Sequence, residues 1–261
     1  MQLHFNAIAE DEPGEKWSAF FEKHWPAYHK WFLSEGDAAR PSYLESRRML
    51  RQYVPELVPT YERLLNLAGG GDQQARLLSL YRPPPYIAGC SQAVWPDRHE
   101  SVLVRNYDYS PRLCEGSLLM TRWNDKRVIA MGDCLWGVLD GMNDDGLSVS
   151  LSFGGRKVVG YGFGVPLILR YVLEFCDSTE QAVEVLTHIP THMSYNVTLL
   201  DKHGQFQTAF LSPDRAPVIR KIPVATNHQG RIEWVRHANA TSSLEREQFL
   251  SCRLADTEET E

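Results

Sequence analysis

Apolar positions fall into two regimes along the chain, with a change near residue 86. Over residues 15–67 they recur at helical spacing: Trp17, Phe20, Phe21 and Trp25 mark one amphipathic helix. Leu50, Val54, Leu57, Tyr61 and Leu64 mark a second stretch, and Pro55 and Pro59 require it to be kinked or broken. Gly69-Gly70-Gly71 stops the pattern, a short mixed segment follows, and Pro83-Pro84-Pro85 forms a stiff extended spacer. Beyond residue 86 the runs are short and alternating. Residues 101–107, 117–123, 127–132 and 147–153 read as strands separated by turn-rich pieces such as Asn124-Asp125 and Asn143-Asp144-Asp145-Gly146. Helix returns at 165–176 and again from Ser178, where Ser178 and Gln181 have capping-box spacing; Pro190 ends it. Residues 195–211 read as a hairpin and 217–227 as a further strand. The order predicts an α+β protein in which helices cover mainly antiparallel sheets.

Composition narrows the class. The 261 residues are 43% apolar and 11% aromatic, enough for a full core. A formal net charge of −6 argues against a non-specific nucleic-acid binder, which needs a basic face. No run approaches the roughly 18–20 apolar residues of a membrane span; the most apolar stretch, 165–176, is interrupted by Arg170 and Glu174. The start lacks the basic-then-apolar pattern of a secretory signal. Cys90, Cys114, Cys134, Cys176 and Cys252 are odd in number and scattered, so free thiols in a reducing, cytoplasmic setting are expected. His188 and His192 have the i, i+4 spacing of a zinc pair, but Pro190 lies between them and no HExxH glutamate is present. Neither metal nor cofactor is expected. Trp95, Trp123, Trp136 and Trp234 read as core or pocket-wall aromatics, and the glycines of 153–155 and 161–164 as a mobile loop. Residues 255–261 read as a frayed acidic tail.

Five segments carry candidate chemistry. Cys90 follows Gly89 at the head of the strand-rich region. Lacking a Cβ, Gly89 can adopt a strained conformation that exposes its carbonyl to the Cys90 thiol. An N-to-S acyl shift and hydrolysis would then leave Cys90 as a new N-terminus, whose amine can serve as base for its own thiol. The nucleophile must be partly exposed and thiolate-rich, against the commoner fate of a cysteine as an inert core residue. Arg105 and Asp108 form the second segment. Strand alternation puts them on opposite faces, so they meet only if the strand bends near Tyr107; otherwise they read as an edge ion pair. The third is the turn around Asn143, the fourth is Thr226-Asn227-His228, and the fifth is Ser242, Ser243 and Arg246. Each of these has a bland reading as turn chemistry or solvated surface.

Taken in order, Gly-Cys-Ser, Arg-Asn-x-Asp, Gly-Met-Asn-x-x-Gly-Leu, Thr-Asn-His and Ser-x-x-x-Arg across 90–246 resemble the Ntn-hydrolase superfamily. Within it the chain resembles the branch of penicillin-forming acyl-coenzyme A acyltransferases, related to the choloylglycine hydrolases. The resemblance implies an αββα sandwich and a helical prosegment over 1–89, cut between Gly89 and Cys90. It also implies that the catalytic core over 90–261 is shortened at its C-terminus, since the chain ends a short way past Arg246. It assigns Cys90 as nucleophile, Arg105 and Asp108 as flanking groups that orient its amine, and Asn143 and Asn227 as the oxyanion hole. Arg246 becomes a supporting residue, with Ser242 beside it. The implied substrate is a small acyl amide or acyl thioester, hydrolysed or transferred through a Cys90 thioester. A hydrolase of β-alanyl or aminoacyl amines is one alternative, and an uncleaved, inactive homologue that only binds acyl ligands is another.

Overall fold

A computed structural model describes residues 4–95 and 101–256; the last five residues of the acidic tail lie outside the described residues. The helical first region is resolved into α1 (Glu15–Phe32), α2 (Tyr43–Tyr53), α3 (Val58–Leu67) and α4 (Asp72–Leu78). The two prolines act as expected: α2 ends at Tyr53, a 3-10 turn holds Pro55, and Pro59 sits in the first turn of α3, where its missing N–H costs nothing. Ser42 starts α2 by accepting the Glu45 N–H. Gly69 and Gly70, both with positive φ, end α3. Two elements here escape the sequence pattern. One is the seven-residue α4. The other is the strand β1 (Asn6–Glu10), which makes the first region more than a bundle of helices.

The remaining strands are β2 (Gly89–Trp95), β3 (Val102–Asp108), β4 (Ser117–Thr121), β5 (Val128–Asp133), β6 (Gly137–Asn143), β7 (Ser148–Phe153), β8 (Tyr195–Leu200), β9 (Phe206–Leu211), β10 (Val218–Arg220) and β11 (Val224–Ala225). Eight strands form one sheet in the order β1-β4-β5-β6-β7-β8-β9-β10; only the β1–β4 pairing is parallel. The small sheet, β11-β2-β3, is antiparallel and packs on β7. The helices α5 (Val165–Phe175) and α6 (Thr179–His188) cover the opposite face of the large sheet. The outer face of the small one is met by α8 (Ser243–Ala255), which follows the short α7 (Val235–Ala240). The layers therefore run helix, sheet, sheet, helix, the expected αββα sandwich.

The run 217–227, read as one strand, is two. Between β10 and β11 the chain leaves the large sheet and joins the small one at Pro223, which has no N–H to give to a ladder but whose carbonyl accepts the Val94 N–H. That switch carries Thr226, Asn227 and His228 to the end of the small sheet. One apolar core spans both regions, including Trp17, Leu50, Tyr61 and Leu78 as well as Leu119, Val149 and Leu169. Two buried indoles fasten the first region to the turn between β5 and β6: Trp17 donates to the Leu135 carbonyl, and Trp136 to that of Leu78. Arg170 and Glu174, which interrupt the apolar run of α5, are fully buried one turn apart and pair with each other, with Arg170 stacked on Trp123. No helix among the described residues is long and apolar enough to cross a membrane.

Candidate functional site

Strand alternation decides which candidate residues meet. In the β2–β3 ladder, Cys90 lies opposite Tyr107 and Gln92 opposite Arg105, so these four side chains share the face turned toward the large sheet. Gly89 lies opposite Asp108 and Ser91 opposite Asn106, on the face turned toward α8. The strand continues regularly through Asp108, so Arg105 and Asp108 point to opposite faces of the small sheet and do not meet.

On the inner face, Arg105 Nη2 is 3.5 Å from Cys90 Sγ, while its Nε donates to the Leu151 carbonyl and its Nη1 pairs with Asp140. Its guanidinium also lies over the Tyr107 ring. Cys90 is fully buried (0%), contrary to the expectation of partial exposure. Burial pushes its thiol up, and Arg105 opposes that shift. Gly89 does not have a left-handed φ. What restricts its position is crowding, since a Cβ there would stand 3.2 Å from Asp108 Cβ.

On the outer face and at the strand end, Asn227 is the hub. Its Oδ1 accepts the Cys90 N–H (3.0 Å) and Arg246 Nη2 (2.6 Å). Its Nδ2 donates to the carbonyls of Ala88 (3.3 Å) and Phe153 (3.0 Å). Arg246 also reaches Ser91 Oγ, Asp108 and the Thr241 carbonyl. The backbone N–H of Asn227 goes to Ser243 Oγ at 2.9 Å. Ser243 in turn meets His228 Nδ1 (2.9 Å), whose Nε2 lies 3.2 Å from Glu247. Gly155 passes so close that a Cβ would stand 2.1 Å from the Asn227 carbonyl oxygen, and its φ is +70°. Together with Gly154 and Gly162, which pack equally tightly on Ser194 and Thr191, it belongs to a close-packed wall rather than to a mobile loop.

Two expectations are corrected. Asn143 does not join Asn227. Its Nδ2 donates to the carbonyls of Leu173 and Cys176, and its Oδ1 accepts the N–H groups of Asp145 and Leu147. Every polar group of this side chain is spent on closing its own turn and tying it to α5, so none points to Cys90. Ser242 is the other. It adopts a left-handed φ of 47° ahead of α8, and the site hydroxyl belongs to its neighbour Ser243.

A profile of the family described as acyl-coenzyme A:6-aminopenicillanic acid acyl-transferase matches residues 95–260. The chain belongs to this family. Within the acyl-transferase match fall Arg105, Asp108, Asn227 and Arg246, whereas Gly89 and Cys90 lie just ahead of it. Among solved structures the chain is similar to penicillin V acylase from Agrobacterium tumefaciens, with 18% identity, a TM-score of 0.36 and coverage of 54% of this chain and 46% of that one. It is also similar to two variants of conjugated bile acid hydrolase from Clostridium perfringens. Both have 17% identity and a TM-score of 0.32; one match covers 62% of this chain and 52% of that one, the other 60% and 50%. The chain spans about half the length of these proteins. Comparison with curated proteins gives no match.

Several residues around the candidate site carry no sequence motif. Gln92, two residues beyond Cys90 on the same face of β2, bonds Ser150, Ser152 and the Asn196 carbonyl between the sheets, and Asn196 Nδ2 holds the carbonyls of Thr226 and His228. The hydroxyls at alternate positions of 147–153 were the available signal, because serines on a strand otherwise buried on both faces need partners inside. Beside Arg105 a cavity of about 210 Å³ is also lined by Tyr107, Glu115, Asp133 and Asp140. A larger one of about 430 Å³ shares Glu115 and Asp133 with it and is walled by Tyr28, Trp31, Tyr86 and Tyr109.

Proposed function

We propose that the protein is an autoprocessed cysteine amidohydrolase or acyltransferase of linear amides, with Cys90 as nucleophile and residues 1–89 as its prosegment. The observation that carries this reading is the convergence on Cys90. A guanidinium stands at its sulfur, and its backbone nitrogen, the atom that becomes an α-amine on cleavage, already sits on Asn227 Oδ1 beside Arg246. Membership of the acyl-transferase family supports the same class of chemistry.

In the maturation step Cys90 Sγ adds to the Gly89 carbonyl carbon. The carbon–nitrogen bond breaks, the thiol proton ends on the nitrogen, and a thioester joins residue 89 to the sulfur. Water then hydrolyses the thioester, leaving the Gly89 carboxylate and a free Cys90 thiol with its α-amine. Asn227 Oδ1 keeps the amine in place, and Asp108, opposite Gly89, supplies a carboxylate for its charge. Movement of the cut end at Gly89 frees the Asn227 Nδ2 hydrogen now given to the Ala88 carbonyl. This turns Asn227 into a donor toward the oxyanion of a substrate amide. In turnover, the mature thiolate attacks that amide, the amine leaves, and water or a second amine takes the acyl group.

Intact mass is the test. Wild type is expected as two pieces, 1–89 and 90–261, and Cys90→Ala as one chain without amidase or transferase activity. An alanine variant that still splits at this bond overturns the autocatalytic reading.

A further inference from the structure

His228 and Glu247 have no part in the chemistry above, yet they stand directly behind Asn227, where the hydrogen bonds fix a protonation state. Thr226 Oγ1 lies 2.9 Å from the Ser243 carbonyl oxygen and 3.0 Å from Ser243 Oγ. Ser243 Oγ in turn lies 2.9 Å from His228 Nδ1. Each of these three contacts needs a hydrogen, and the hydroxyls of Thr226 and Ser243 bring only one each. The Asn227 N–H supplies its own bond, occupying a lone pair of Ser243 Oγ at 2.9 Å. The missing hydrogen therefore belongs to His228 Nδ1. Across the ring, Nε2 meets Glu247 Oε2 at 3.2 Å; a carboxylate has no hydrogen to give, so Nε2 carries one as well.

With both ring nitrogens protonated, every contact runs in one direction. Nε2 donates to Glu247 and Nδ1 to Ser243 Oγ, Ser243 donates to Thr226 Oγ1, and Thr226 donates to the Ser243 carbonyl. Ser243 Oγ is then saturated, with one hydrogen given and two accepted. A neutral ring leaves two acceptors facing each other, either at Glu247 or between Thr226 and Ser243. Thr226, His228 and Ser243 are all buried, and an unmade bond there is costly. The other charged groups of this turn are already engaged: Arg246, beside Glu247 on α8, is held by Asp108 and by Asn227 Oδ1. One turn of α8 thus grips Asn227 twice, Arg246 at the side chain and Ser243, oriented by His228, at the backbone.

We propose that His228, kept doubly protonated by Glu247, is a positioning residue: it orients the Ser243 hydroxyl and so fixes the Asn227 segment against Cys90. Its effect on turnover rests on the function proposed above; its protonation and its hold on Asn227 do not.

The test has two parts. In the uncut Cys90→Ala chain, nitrogen magnetic resonance of isotope-labelled histidine is expected to show two ring hydrogens on His228 at neutral pH. Glu247→Gln, whose amide can donate to a bare Nε2, is expected to leave one. Exchange of the Asn227 amide is expected to be at least about tenfold faster in His228→Leu and to return toward the unsubstituted rate in His228→Asn, which keeps a donor at that place. In the chain with Cys90 intact, His228→Leu is expected to lower kcat at least about tenfold with KM within about twofold, and His228→Asn to restore at least about half of kcat. Thermal melting checks folding; if the leucine variant does not fold, His228→Asp, with the shape of asparagine and no donor, replaces it. A ring with one hydrogen in the unsubstituted chain, two hydrogens that persist in Glu247→Gln, or a folded leucine variant with unchanged Asn227 exchange overturns the proposal. A wild type that never splits defeats the proposed function and leaves the first part to decide this one. A wild type that splits while the His228 ring carries one hydrogen defeats the positioning role alone.

Discussion

Asn143 and Asn227 look alike in the sequence and do different work in the fold. Both stand at strand ends beside turn residues, both are buried, and both use every hydrogen-bonding group of the side chain. Asn143 spends its bonds on its own turn and on the end of α5. Asn227 spends its bonds on segments far apart in the chain, from Ala88 and Cys90 to Phe153 and Arg246. The difference is one of topology. The turn after β6 points at a helix C-terminus whose unpaired carbonyls need donors. The end of β11 points at the edge of β2, where a backbone N–H needs an acceptor. A saturated asparagine is a structural staple in the first setting and, on the proposed reading, a reaction centre in the second.

Removing each in turn gives the largest contrast. Asn227→Asp places a negative charge beside the developing oxyanion and is expected to lower turnover at least about a hundredfold. Asn143→Ala is expected to cost about 2–4 kcal/mol of stability, by orphaning two carbonyls and two N–H groups, with turnover per folded molecule within about twofold of wild type. Denaturant unfolding and steady-state rates measured on both variants decide; a hundredfold loss in a folded Asn143→Ala would return that residue to the site. Next comes Gly155→Ala. It meets the Asn227 carbonyl and requires a positive φ, so a loss of about 1–3 kcal/mol is expected, with turnover falling as Asn227 shifts. A variant as stable as wild type would show that the Asn227 segment is looser than its contacts imply. The smallest effects separate neighbouring serines. Ser243→Ala leaves the Asn227 N–H without its acceptor and is expected to cost about 1–2 kcal/mol, whereas Ser242→Ala stays within about 0.5 kcal/mol. Melting curves that reverse this order would place Ser242, not Ser243, in the site.

Cys90 and Arg105 illustrate what a strand pattern can and cannot say. Alternation alone shows that Arg105 and Asp108 face opposite ways on a regular strand. It is silent on whether the strand bends, and the ladder to β2, regular through Asp108, answers that. The burial of the Cys90 thiol is invisible to the pattern for a similar reason. Tyr107, Arg105 and the large sheet close over Cys90, and these are distant in sequence. Helix α4 and strand β1 leave no period in the sequence, since seven and five residues are too few for one to stand out; each is held by what it packs on, as β1 is by β4. Ser242 and Ser243, neighbouring serines at a helix start, are equivalent in the sequence until the cap geometry is known.

Local chemistry determined a good deal. Helical spacing, the breaks at Pro55 and Pro59, the glycine stop, the Ser178 cap and the β8–β9 hairpin follow from near-neighbour sterics and hydrogen bonds, which the sequence states directly. The order of its motifs also carried the family. The tertiary structure alone decided which motifs converge: that the chain changes sheets at Pro223 and brings Asn227 to Cys90, that Asn143 is turned away to α5, and that Tyr28 meets Glu115 and Asp133. These are contacts across 30 to 137 residues. They depend on register and layer packing, where a shift of one residue turns every side chain to the opposite face.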